Sequence, residues 1–249
     1  MKILLTNDDG YSAKGITLLF DTLTQLGFDT FLVAPETEKS GASHSITLHR
    51  DLTAKKVSEK VYSVSGTPAD CVIYAINEIA DDFDLVVSGI NAGQNMGEDI
   101  FYSGTVAAAT EACFLGYPSL AFSMCAYQDQ IYETGVEIVV KVISMKLHEQ
   151  LKKNELLNIN IPNVTYDQIK GFKVTKIGER RYKNFIHYVE KTEDRRIYRV
   201  GGDIPEYVQD EQSDYYAISH NYVSITHLLR KSDSHFNLEK LNKINNYEI

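Results

Sequence analysis

Apolar residues recur along the first two thirds of the chain in two rhythms. Short unbroken apolar runs predict buried strands at Lys2–Thr6, Thr30–Ala34, Leu85–Ile90, Ser119–Ser123 and Leu157–Ile161, with a weaker one at Val61–Val64. Between them, apolar positions fall at helical spacing. Ile16, Leu19, Phe20, Leu23 and Leu26 share one face of a helix over 12–26, closed by Gly27. Thr67-Pro68-Ala69-Asp70 starts another helix that runs on through Val72, Ala75, Ile76 and Ile79. Further helices are expected over 105–115, ended by Gly116, and through Val136, Ile138, Val139, Val142 and Ile143. Strands that are apolar on both faces and alternate with helices imply an α/β fold. Its core is a Rossmann-like, mostly parallel sheet with helices on both faces.

Past Gly171 the texture changes. Tyrosines become dense, and Lys183–Val200 reads as an extended hairpin arm, followed by a returning strand at Tyr222–Thr226 and a final helix at Leu238–Ile244. The expected organisation is a catalytic core over 1–170 and a smaller β-rich region over 171–249. That region packs on the core, and its aromatic arm serves oligomerisation.

Composition narrows the setting. The 249 residues carry 25 Lys+Arg against 34 Asp+Glu, a formal charge of −9, which disfavours binding to DNA. No apolar run approaches membrane-spanning length and no signal-peptide pattern opens the chain. The 3 cysteines lack zinc or disulfide spacing. A cytoplasmic protein without membrane attachment is expected.

Candidate chemistry lies at the carboxyl ends of the strands, where open parallel sheets bind ligands. Asp8 and Asp9 come directly after the first strand, Ser40 lies in the loop after the second, and Asn91 ends the third apolar run. Two converging carboxylates repel and favour a cation between them, and all-oxygen donors suit a hard divalent ion. Ser40 and Asn91 can add a hydroxyl and an amide oxygen. The same Asp-Asp pair is also compatible with a simple turn carrying a helix-facing charge. Tyr102-Ser103-Gly104-Thr105 opens a helix, which suits either plain capping or an oxyanion cradle. The GxGxxG dinucleotide pattern is absent after the first strand. His44 either supports the Ser40 loop or donates to a leaving group.

NDDG at 7–10, APETEKSGASHSIT at 34–47, GTPADCV at 66–72, SGINAGQNMGEDIFYSGTVAAATEA at 88–112, LNINIP at 157–162 and YVSIT at 222–226 together resemble the survival protein E (SurE) family. The resemblance runs essentially end to end. It implies a metal-dependent 5′-nucleotidase with one Mg²⁺ or Mn²⁺ per subunit, held by Asp8, Asp9, Ser40 and Asn91. It places phosphate on Asn95, Ser103, Gly104 and Thr105, and implies a homodimer or homotetramer.

The reaction expected is hydrolysis of nucleoside 5′-monophosphates, with 3′-monophosphates and short-chain polyphosphate as further substrates. A metal-activated water attacks in line, with Asp8 or Asp9 orienting it. A phospho-aspartate mechanism needs a second aspartate two residues after the first, and that position is Gly10. The competing reading is a non-enzymatic, oligomeric nucleotide sensor.

Overall fold

A computed structural model describes residues 1–181, 186–200 and 206–229. In chain order the main elements are β1 (Lys2–Thr6), α1 (Lys14–Gln25), β2 (Asp29–Pro35), β3 (Ala54–Ser58), β4 (Val61–Val64) and α2 (Pro68–Tyr74). Then come β5 (Leu85–Ala92), α3 (Gly104–Phe114), β6 (Ser119–Met124), α4 (Tyr132–Ser144) and β7 (Glu155–Ile161). The remainder holds β8 (Phe172–Thr175), β9 (Arg180–Arg181), β10 (Ile186–Lys191), β11 (Arg196–Val200), β12 (Glu206–Tyr207), α5 (Asp214–Ser219) and β13 (Val223–Leu229).

Nine strands form one sheet in the order β3-β4-β2-β1-β5-β6-β7-β13-β8. The pairs from β4 through β7 are all parallel; β3 and β13 enter antiparallel to β4 and β7. Side-chain alternation sends neighbouring residues to opposite faces. Ile3, Leu5, Leu85 and Val87 pack in one cluster with Ile16 and Leu19 of α1 and Val139 and Val142 of α4. Leu4 and Val86 pack on the other face with Cys71 and Val72 of α2 and Ala108 and Ala112 of α3. The α/β layout with helices on both faces is therefore as predicted.

The chain builds β2 on one side of β1 and later β5 on the other. The sheet thus has its switch point between β1 and β5, and a crevice opens beyond their carboxyl ends. Thr67 caps α2: its hydroxyl accepts from the Asp70 amide, and the Asp70 carboxylate accepts from the Thr67 amide. Such caps are worth about 1 kcal/mol.

β3, β8, β9, β12 and α5 escape the apolar pattern, and two of them show the physical reason. β3 is an edge strand reading Ala-Lys-Lys-Val-Ser and is largely exposed, so it has no buried face to betray it. β8 is short and joins the main sheet through β13. Of the predicted arm, 186–200 is described as the antiparallel pair β10–β11, a two-stranded sheet of its own. The expected helix at 238–244 lies outside the described residues. No helix among the described residues is long and apolar enough to cross a membrane.

Candidate active site

Asn7 closes the turn after β1 by gripping Gly10. Its Oδ1 accepts from the Gly10 amide at 3.1 Å and its Nδ2 donates to the Gly10 carbonyl at 2.9 Å. Asp8 and Asp9 are thereby fixed at the strand exit, at the switch point. Asp8 is buried beside the N-terminus of α3, and the Thr105 hydroxyl donates to its Oδ1. Gly104 is required here: a Cβ on it would stand 2.7 Å from the Asp8 Cβ. Asp9 Oδ2 accepts from the Ala92 amide at 3.0 Å, tying the exits of β1 and β5 together.

Burial pushes the Asp8 carboxyl upward, against the Thr105 hydroxyl and the amides of Gly104 and Thr105, which favour its charge. Burial and then the Asp8 charge push Asp9 up to about 6, with Glu38 adding to the effect and the Ala92 amide opposing it. Among the described residues no salt bridge reaches either carboxylate. Two adjacent, uncompensated carboxylates are a fit for a hard cation.

Asn91 joins the pair from β5. Between Ser88 and Asn91 that strand carries an extra residue relative to β6, a bulge that re-aims the strand's last residues. Gly89 permits it, with φ +131° and no room for a Cβ, which would clash with the Phe122 carbonyl oxygen. The Asn91 Nδ2 donates to the Gly93 carbonyl at 2.9 Å, which leaves its Oδ1 lone pairs for a ligand. Ser40 is exposed, and its hydroxyl donates to Glu38 Oε1 at 2.6 Å, so its oxygen keeps lone pairs for a ligand. No group of three or more His, Cys, Asp or Glu side chains forms a metal cluster among the described residues. The donor set here is a different one, with two carboxylates, an amide and a hydroxyl.

A cavity of about 240 Å³ opens at this point. Its walls include Asp8, Ser40, Asn91, Asn95 and Ser103, so side chains predicted from three separate loops and a helix start share one space. Asp9 is not among the residues that line it; its carboxylate is held by the Ala92 amide. Ser103 is the N-cap of α3: its hydroxyl oxygen accepts from the Val106 amide at 3.1 Å, leaving its proton to donate. Gly104 and Thr105 do not line the cavity, and the Thr105 hydroxyl is spent on Asp8. His44 stands elsewhere, its Nε2 2.8 Å from Glu111 Oε2 and its ring 5.4 Å from that of Phe114. It lines a separate apolar groove that shares Ser103 with the site.

Sequence reasoning missed part of the wall: Asp99, Tyr127 and Arg180. Among the described residues, Arg180 is the one Lys or Arg on that wall; it forms an ion pair with Asp99, and its amide donates to Glu98 at 3.1 Å. No periodicity marks it, because it comes from a short strand in the Tyr-rich region and reaches the site only through the tertiary fold.

Known proteins match the chain along most of its length. The family model described as "Survival protein SurE" matches residues 3–184. A protein named 5′-nucleotidase SurE from Alkaliphilus metalliredigens is 43% identical, covering 91% of each chain. One of the same name from Methylobacillus flagellatus is 42% identical, covering 92% of each. The crystal structure of the SurE protein from Aquifex aeolicus superposes with a TM-score of 0.88 at 37% identity, over 98% of this chain and 100% of that one. With its strand-end carboxylates, its capped helix start and these matches along most of its length, the chain belongs to the survival protein SurE family.

Proposed function

We infer that this protein is a 5′-nucleotidase that hydrolyses nucleoside 5′-monophosphates with the help of one divalent cation, Mg²⁺ or Mn²⁺, per subunit. The observation that carries the reading is the position of Asp8: one carboxylate joins the exit of β1 to the N-terminus of α3 inside a cavity that also holds Asn95 and Ser103. Asp8, Asp9, Asn91 and Ser40 would hold the cation. When bound, it supplies Lewis-acid polarisation of a phosphoryl oxygen and a lowered pKa for water at the site.

The chain's own residues do the rest. Two carboxylates offset a divalent charge, so a phosphate dianion is not repelled despite the net −9. The Ser103 hydroxyl and the Asn95 amide donate to the phosphoryl oxygens, and the positive end of α3 adds to them. Gly104 and Thr105 act one layer back: the first lets Asp8 approach the helix, the second orients its carboxylate. Asp8 or Asp9 orients the attacking water, and attack is in line without a covalent phospho-enzyme. Nucleoside 3′-monophosphates and short polyphosphates are further candidate substrates of the same cavity, because its donors read the phosphoryl group.

We also assign the region 171–249, apart from the strands it lends to the sheet, to assembly of a homodimer or homotetramer in the cytoplasm. The support is the β10–β11 ribbon, where Ile186, Tyr188, Val189, Tyr198 and Val200 are all exposed. A two-stranded ribbon is marginal alone and gains from a partner. Deletion of 183–200 is expected to lower the oligomeric state on size-exclusion chromatography.

The test of the activity is phosphate release from AMP and GMP with Mn²⁺, with Mg²⁺ and with chelator. Turnover that depends on the cation is expected. No turnover across a panel of 5′- and 3′-nucleotides would favour a nucleotide sensor instead.

A further inference from the structure

β7 reads Glu-Leu-Leu-Asn-Ile-Asn-Ile, and its alternation is unusual. Leu157, Ile159 and Ile161 belong to the hydrophobic core. Asn158 and Asn160, two residues apart, point to the other face and are completely buried. Burying a primary amide is costly unless its groups find partners, and here two are buried side by side.

Three of their hydrogen bonds converge on one residue; among the described residues the Asn158 Oδ1 has no partner, and the Cys125 Sγ approaches the Asn160 Oδ1 at 3.9 Å. The Nδ2 groups of Asn158 and Asn160 both donate to the Asn95 carbonyl, at 2.8 and 2.9 Å. The Asn160 Oδ1 accepts from the Asn95 amide at 2.9 Å. Asn160 thus treats the backbone of Asn95 as a neighbouring strand would, with one bond in each direction. On β6, Ser123 stands in register with Asn160, and its hydroxyl accepts from the Asn95 Nδ2 at 2.8 Å. Three side chains from the carboxyl ends of two adjacent strands therefore fix both the backbone and the amide of Asn95. One Nδ2 hydrogen remains, on a side chain that lines the cavity beside Asp8 and Ser103.

We propose that Asn158, Asn160 and Ser123 are positioning residues that hold the Asn95 amide aimed at the substrate's phosphoryl group. The proposal rests on the reading of Asn95 as a phosphate contact. It explains why the LNINIP stretch places amides where a buried strand otherwise wants apolar side chains. Preorganised donors act without reorganising during the reaction, which is where such a clamp has its effect.

The test is a double-mutant cycle on the Mn²⁺-loaded protein, with inorganic phosphate as a competitive inhibitor and AMP as substrate. Asn160→Ala should raise the phosphate inhibition constant about tenfold, the size expected for one misdirected hydrogen bond to a charged group. Mn²⁺ affinity should stay within about twofold of the wild type, because no cation donor is touched. In the Asn95→Ala background the Asn160→Ala effect should vanish, since residues acting through one shared contact are not additive.

Ser123→Ala, a smaller change, should show the same pattern at about threefold and keeps the test open if Asn160→Ala fails to fold. Phosphate inhibition unchanged by Asn160→Ala, or a loss that adds fully to that of Asn95→Ala, overturns the proposal. Phosphate inhibition unchanged by Asn95→Ala itself overturns the phosphate-site reading instead.

Discussion

At the β1–α3 corner and at the start of α2, the fold buries aspartates at element ends, but with opposite electrostatics. Burial disfavours the ionised forms of both Asp8 and Asp9, the Asp8 charge adds to this at Asp9, and the few donors that reach them do not compensate. Asp70 is buried too, which alone would raise its pKa. The Thr47 amide at 3.0 Å, the Thr47 hydroxyl at 2.7 Å and the Thr67 amide at 2.8 Å outweigh that and hold it below the usual range. Asp70 is a finished hydrogen-bond network that pins the 43–47 loop to α2. Asp8 and Asp9 are an unfinished one, a condition that the proposed cation would relieve.

The largest effect expected from this contrast is on Asp9→Asn. Removing one carboxylate from the pair should cost at least ~10²-fold in cation-dependent phosphate release, the scale of a lost charge-stabilising group. The same change relieves repulsion with Asp8, so the melting temperature of the metal-free protein should hold or rise. Full activity in Asp9→Asn would remove the functional side of the comparison.

Asp70→Asn probes the other side. The amide cannot accept all three donors and adds its own N–H groups against them, which should cost about 1–3 kcal/mol in urea unfolding. Stability unchanged in Asp70→Asn would mean the network around Thr47 and Thr67 is not what anchors the loop.

The two corners also predict opposite responses to pH. An unfolded Asp titrates near 3.9, roughly two units below folded Asp9. The folded protein holds that proton more tightly, so the contribution of Asp9 to metal-free stability is present below pH ~4 and lost as pH rises through about 6. Asp70 is shifted the other way, so its contribution is present above pH ~4 and lost as pH falls through its lowered value. Cation affinity should track Asp9, rising about tenfold per unit up to pH 6 and flattening above, because the ion displaces that proton. Calorimetric Mn²⁺ titrations across pH 5–8 check this, and a flat profile would contradict the shift.

How much of this contrast was legible in the sequence depends on whether the relevant interaction is local. The Thr67–Asp70 cap is local, and the spacing of three residues announces it. The strand-end positions of Asp8, Asp9 and Asn91 are set by apolar runs that end in polar residues, and Ser103 stands just ahead of a helical run. The roles of Thr105 and Thr47 were not legible, because each hydroxyl meets its carboxylate across 97 or 23 residues of chain. Arg180 was hidden for the same reason, and β3 because an exposed lysine-rich edge strand has no apolar rhythm. The buried amides of β7 were visible as letters in an apolar run, but their common target, Asn95, emerges only once β6 and β7 stand side by side.

His44 gives the smallest expected effect and sharpens the boundary between the two corners. It lies on the loop that Asp70 anchors and close in sequence to Ser40, so it has a claim on either role. Its imidazole is paired with Glu111 and tilted over Phe114, and it faces the apolar groove, away from the wall that holds Asp8. A partly exposed hydrogen bond of this kind contributes about 0.5–1.5 kcal/mol. His44→Ala should therefore lower stability within that range and change kcat for AMP by no more than about twofold, the effect of a side chain outside the reacting group's reach. A drop of tenfold or more in kcat with KM unchanged would give His44 a part in the chemistry, most simply as the donor to the leaving group, and would extend the active corner across Ser103 into the groove.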